Sequence, residues 1–484
     1  MRGKDVSDAL GTIRETYINE SRPAKKKRRK RPLWIAAVAA VLAVCVALGV
    51  TYMRGNPQRI SPAPGGLKAF ALETPEYPKT AVYPALEIGD EADKWYESNR
   101  ARAAFYGSGA GLEDFYFGSA AQVLSAKKEN TLYSPLSAYL ALGMLAELTD
   151  GNTRAQILHA LGAESIEALR TQANGVFNAN FFNDGATIVI PSDSVWLDKA
   201  VDYKNDTLER LARNYYAASF RGSFGDKKYD AAVQKWIDAQ TGGLLKNESD
   251  AAFFSPETVV GLFSTLCFRA KWQDAFSSAA TKPGVFHAPA AEQTADFMHS
   301  TMEHGFYYYG DGFGAVRLNF KHGCSMTFVL PDEGVSPDAL FRYPEALRFM
   351  KLAGNNSAID EYENTAYVKI NLAVPKFDIS ATTDLKDAFT ALGITDCFDD
   401  SVADFSPLTR KDMAVALTSA KQSARVAVDE EGVTAVAFTE LIGAGSAEPP
   451  VDEIDFTLDR PFIFILSGFD GDPLFVGTVF SVAE

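Results

Sequence analysis

Residues 424–450 read ARVAVDEEGVTAVAFTELIGAGSAEPP, and the fold turns on what this stretch can do. Residues 425–429 alternate as a strand does, and Glu430, Glu431 and Gly432 follow. Counting in twos then places Val433, Ala435, Ala437, Thr439 and Leu441 on one side, and Thr434, Val436, Phe438 and Glu440 on the other. The first set is compact and uncharged, as suits a strand slotted between two others above packed helices. Beyond it, Gly443, Gly445, Pro449 and Pro450 flank Ala444, Ser446 and Ala447, the composition of an exposed, cleavable loop. Taken alone, the stretch fits an ordinary edge strand plus turn equally well, because short apolar runs are ambiguous.

Around it, helical and strand patterns alternate from about Gly111 onward without a repeat. Residues 112–126, 137–148, 153–161 and 230–240 have helical apolar spacing. Strand-like runs fall at 195–197, 259–268, 315–320, 324–330, 367–374, 424–428 and 462–466. Two of them, 259–268 and 462–466, are largely apolar, as for strands covered on both faces. The pattern predicts an α+β fold with a large buried sheet.

The chain of 484 residues carries a net charge of −15, which argues against a nucleic-acid binder, but the average conceals an asymmetry. Residues 1–31 hold 11 Lys/Arg against 4 Asp/Glu, so this tail is +7 and the rest −22. Next comes PLWIAAVAAVLAVCVALGVTYM, residues 32–53, without a charge and with Trp34 and Tyr52 near its ends. Twenty-two residues span roughly 33 Å as a helix, enough to cross a hydrocarbon core. The expectation is an uncleaved signal anchor: the n-region and apolar run are longer than a cleaved signal peptide needs. Lys/Arg bias makes residues 1–31 cytoplasmic and exports the remainder, a single-pass type II protein of the cell membrane. Residues 54–110 read as a Pro-rich linker with an extra helix at 91–106, either docked on the domain or forming a stalk. Residues 111–484 form the main domain.

Catalytic motifs are missing. No H-E-x-x-H, G-x-S-x-G or P-loop occurs. Residues 396–404 are acidic but lack calcium-loop spacing, and no metal or cofactor is expected. The four cysteines are too scattered for a disulfide framework; Cys267, in an apolar run, reads as a buried small hydrophobe.

Several segments in register resemble the serpin family. Asn130, Ser134, Pro135 and Ser137 stand as in its N-x-x-x-S-P-x-S shutter segment. Phe268-Arg-Ala-Lys-Trp272 with Phe276 and Thr281 resembles F-K-G-x-W…F…T, and Val374-Pro-Lys376-Phe377 with Asp404-Phe405-Ser406 resembles P-K-F…D-F-S. Asp459-Arg-Pro-Phe-Ile-Phe464 and Phe475-Val-Gly477 resemble its closing motifs.

The resemblance implies a serpin fold: a large mixed sheet, further β-sheets, surrounding helices and an exposed reactive loop. It implies a suicide inhibitor that a serine protease cleaves and acylates, after which the freed loop inserts as a new central strand. Glu430, Glu431, Gly432, Val433, Thr434, Ala435, Val436 and Ala437 would be the hinge, Lys376 and Trp272 the breach where the sheet starts to open. The reactive bond would be Ser446–Ala447, within a window from Gly443 to Pro449. A small residue at that bond suits an elastase- or subtilisin-like protease, with cysteine proteases as further targets, and the inhibitor is expected to act as a monomer. Val433, where many inhibitors have Thr or Ser, is a departure, as are Val436 and Phe438. The competing readings are a non-inhibitory serpin acting as a binding module, and a surface hydrolase using Ser446 with a base such as His299.

Overall fold

The computed structural model describes residues 59–60, 67–84, 89–125, 128–245, 254–355, 358–409, 414–433 and 452–483. The basic tail, the expected span at 32–53 and residues 434–451 lie outside the described residues. Among the described residues no helix is long and apolar enough to cross a membrane.

The chain begins with β1 (Ala71–Glu73), α1 (Asp90–Ala103), α2 (Glu113–Leu124) and β2 (Thr131–Tyr133). Then come α3 (Pro135–Leu148), α4 (Gly151–Ala160), α5 (Ile166–Asn180), β3 (Phe182–Asn183), β4 (Ile188–Asp198), α6 (Asn205–Asn214), β5 (Ala217–Gly222), α7 (Lys227–Gln240) and β6 (Val260–Lys271). The middle of the chain supplies β7 (Lys282–His287), β8 (Glu292–Gly310), β9 (Phe313–Asn319), β10 (Ser325–Pro331), α8 (Pro337–Leu340) and α9 (Pro344–Ala353). It closes with β11 (Thr365–Pro375), β12 (Phe377–Asp384), α10 (Lys386–Ala391), β13 (Leu417–Val428), β14 (Gly432–Val433), β15 (Glu453–Thr457), β16 (Phe462–Ser467) and β17 (Pro473–Val479).

Two mixed sheets organise these strands. The first runs β1-β5-β4-β6-β14-β13-β12, with β3 on β4; the second runs β15-β11-β8-β9-β10-β16-β17-β2, with β7 on β8. Helix α3 is buried along its whole length, which its uncharged sequence up to Glu147 permits. Ser134 caps it by accepting from Ser137 N, and Pro135 takes the first helical position, where no N–H is needed. Glu147, buried near its end, pairs with Arg170 at 2.7 Å and Arg210 at 3.5 Å. On the other face of the first sheet, Trp236 and Ile237 of α7 meet Trp196, Phe220 and Phe263 in a separate apolar cluster.

The described residues between 59 and 110 are part of the body rather than an extended spacer. Leu67 is buried in the α7 cluster, β1 adds a strand to the edge of β5, and Tyr77 stacks on Phe181 at 5.6 Å. Of the two alternatives for 91–106, the structure displays the docked helix. Trp95 of α1 donates to Asp184 Oδ2 at 3.2 Å, and buried Arg102 donates to Phe181 O at 2.6 Å. Apolar contacts and these bonds anchor what its proline content alone presents as linker.

Candidate functional site at the parting strands

Strands β6 and β13 are neighbours that pair only in part. They run parallel, in register from Val260–Leu417 to Thr265–Ser423. Above that point β14 lies between them, antiparallel to both, with Gly432 opposite Lys271, and Val433 opposite Ala270 on one side and Val428 on the other. Val433 is fully buried there. The turn into β14 is tied by Asp429, whose Oδ1 accepts from Glu431 N at 2.9 Å and Gly432 N at 3.1 Å, while its N donates to Gly432 O at 3.0 Å. Gly432 has φ 156°, and an added Cβ would collide with Ala270 O and lie 2.8 Å from Lys271 Cα. Only glycine fits this approach.

Glu430, beside the turn, takes Lys376 Nζ at 2.8 Å and the Thr281 hydroxyl at 2.8 Å on the same carboxylate oxygen. Burial pushes its pKa upward, but Lys376 and Thr281 outweigh that and hold it below the usual glutamate value. Trp272 donates its indole N–H to Asp429 O at 3.0 Å and stacks on Phe320 at 4.3 Å. The backbone N–H groups of Trp272 and Phe276 donate to the carbonyls of Glu431 and Glu430. These contacts gather the expected breach residues, Lys376 and Trp272, around the first hinge residues, Glu430 to Val433.

Lower down, the start of α3 meets the same two strands. Ser134 N donates to Gln422 Oε1 at 2.7 Å, and Gln422 Nε2 returns a bond to Ser134 O at 3.0 Å. The Ser134 and Ser137 hydroxyls lie 3.0 Å apart, and Ser264 on β6 donates to Ser137 O across a long 3.5 Å. Ser134, Pro135 and Ser137 therefore stand together beneath the line where β6 and β13 part. Asn130 stands apart from them: it binds the chain end, accepting from Phe480 N and Ser481 N and donating to Ser481 O at 2.7 Å.

Of the remaining expected residues, Thr434, Ala435, Val436, Ala437, Ser446, Ala447 and the window to Pro449 lie outside the described residues. Sequence reasoning missed Gln422, Asp429 and the role of Thr281. Gln422 lies just ahead of the strand-like run at 424–428, in a polar stretch that gave no signal. Among the described residues no group of three or more His, Cys, Asp or Glu could hold a metal ion. Cys267, Cys324 and Cys397 are free and buried, and burial pushes each thiol up to about 12.

Fold and site together define a protein in which two residues of its own chain, Gly432 and Val433, lie between β6 and β13 of the first sheet. The family model for serpins (serine protease inhibitors) matches residues 111–482, and the chain belongs to that family of inhibitors, which are not themselves enzymes. It is similar to Serpin-Z1C of Triticum aestivum, 28% identical over 364 residues that cover 72% of this chain and 89% of the relative. Serpin-ZX of Arabidopsis thaliana is 28% identical over 373 residues, covering 73% and 92%. Among solved structures, the thermophilic serpin tengpin in its native state aligns with a TM-score of 0.68 and 26% identity, over 83% of this chain and 97% of that one.

Proposed function

We propose that this serpin traps serine proteases as a suicide substrate: attack near Ser446–Ala447 leaves the protease acylated, and the freed loop enters the first sheet between β6 and β13. The observation that carries this is the placement of Gly432 and Val433 between those strands. Extending the register from Val433–Ala270 and Val433–Val428 brings one residue, Thr439, opposite both Ser264 and Gln422, which already face each other. Two independent registers agree, and every residue on that parity from Val433 to Thr439 is uncharged. Val433, the departure from the usual hinge residue, is already accommodated in the sheet.

Residues 32–53 are proposed to tether the inhibitor to the cell membrane with the domain outside, as the basic block before an uncharged run of 22 residues supports. A positive tail with few exported cysteines suits a bacterial type II protein. The likeness to elastase or subtilisin substrates rests on the small residues at 444–447.

Mixing the full chain with an elastase and with a subtilisin-like protease tests the trap. A band of combined mass that survives boiling in denaturant is expected. Cleaved inhibitor with fully active protease, and no rise in the melting temperature of the cleaved form, would show a non-inhibitory serpin.

A further inference from the structure

Asp193 on β4, Ser264 on β6 and Gln422 on β13 stand in one row across three adjacent strands, Asp193 opposite Ser264 and Ser264 opposite Gln422. Residues directly opposite share a face, so all three side chains point toward α3. They are 1%, 2% and 1% exposed. Gln422 uses both ends of its amide on Ser134, and Ser264 reaches Ser137 O. Asp193 is different: among the described residues neither of its carboxyl oxygens has a well-formed hydrogen bond. Burial pushes its carboxyl up to about 7, with the Ser264 hydroxyl partly opposing the rise.

We propose that Asp193 is a positioning residue for the opening of the sheet, setting through Ser264 how firmly β6 is tied to the start of α3 according to its own charge. The inference rests on the reading that β6 and β13 part. A serine hydroxyl carries one hydrogen, so Ser264 can donate to Ser137 O or to Asp193, not to both. Protonated, Asp193 can donate to Ser264 Oγ, which leaves the Ser264 hydrogen for Ser137 O and joins β4, β6 and α3 in one chain of bonds. Ionised, Asp193 captures that hydrogen in a charge-assisted bond roughly twice as strong as a neutral one. The tie from β6 to α3 is then released at the line where a strand must enter.

The other ionisable groups nearby are turned away or engaged. Cys267, Arg269 and Lys271 on β6 have the opposite parity to Ser264, and Asp198 the opposite parity to Asp193, so they face the other side of the sheet. Arg221 on β5 pairs with Leu197, four residues along. On α3, Glu147 is held by Arg170 of α5, and Tyr139 donates to Gln172. Glu167, also on α5, lies in that helix's exposed first turn. Tyr77, buried beside Ser192, is raised chiefly by burial, with the Asp193 charge adding to the rise.

The sign follows from the raised pKa. The tie is complete below the ordinary aspartate value of 3.8 and is lost as pH rises through about 7. Hydrogen–deuterium exchange of the full chain in mild detergent, corrected for the chemical exchange rate, reads this without protease or loop insertion. A chain that traps no protease can therefore still show or lack the effect. From about pH 6 to about pH 8.5, amides of β6 and β13 should lose protection, about tenfold per pK unit that opening removes from the carboxyl. Asp193→Asn should keep the higher protection at both pH values, and Ser264→Ala the lower. A wild-type profile without the loss, or an equal loss in Asp193→Asn, would overturn the proposal.

Discussion

The side-chain amide of Gln422 and the backbone of Ser134 exchange two hydrogen bonds, of 2.7 and 3.0 Å, and so clamp β13 to the cap of α3. Gln422→Ala removes both bonds at once; Ser134 O keeps the bond it accepts from Ala138 N at 3.1 Å, but the buried Ser134 N–H is left unpaired, at a cost of about 1–3 kcal/mol. The native form is expected to melt lower and to convert faster on incubation to a heat-resistant form. Calorimetry before and after mild heating measures both.

Glu430→Gln keeps the shape of the breach and removes the charge that meets Lys376. Since Lys376 is 37% exposed, the loss should be small, about 0–1 kcal/mol. A lowered glutamate pKa contributes stability above its ordinary value of 4.5, lost as pH falls through the lower native value. The melting-temperature gap between wild type and variant should therefore be present at neutral pH and close in acid.

Gly432→Val places a branched Cβ against Ala270 O and Lys271 Cα. The expected result is expulsion of Gly432 and Val433 from between β6 and β13, followed by slower insertion. On a denaturing gel, protease challenge should then shift from complex toward cleaved inhibitor. Unchanged partition would show that hinge entry does not limit the trap.

Ser446→Arg offers a long cation to a protease pocket in place of a small polar side chain. If Ser446–Ala447 is the reactive bond, trapping moves from elastase-like to trypsin-like enzymes. The mass of the released C-terminal peptide then begins at Ala447 in both proteins. A peptide starting elsewhere relocates the bond.

Leu67→Ala tests the segment ahead of the main domain. Leu67 is 1% exposed among Trp196, Phe220 and Phe263, and truncating a buried leucine costs about 2–5 kcal/mol. A melting temperature equal to wild type would mean that the segment only rests on the surface.

Much of this architecture was legible from local pattern. Uncharged runs announced β6 and β16, whereas of the stretch read by parity along 433–441 only Val433 lies among the described residues. Strand β8 escaped notice because only four of its 19 residues are buried and its Glu, Asp and His residues obscure the alternation. Proline content misread 67–84, since Leu67, Phe70 and Tyr77 are too sparse to announce a docking face until their partners on α5, α7 and β5 are present. The site divided in the same way. Motif residues such as Ser134, Lys376 and Trp272 could be read directly, whereas Gln422, Asp429 and Asp193 matter only through cross-strand neighbours far away in sequence.

Arg59 donates to Asn183 O at 2.8 Å and to Thr80 O at 2.7 Å, where the described chain first meets the body. Asn183 lies on β3, hydrogen-bonded to β4, which is hydrogen-bonded to β6. A mechanical load applied to the N-terminal side would thus arrive at the sheet through a hydrogen-bonded clasp rather than through a slack cord. Tension there would bear on the half of the first sheet that contains β4 and β6.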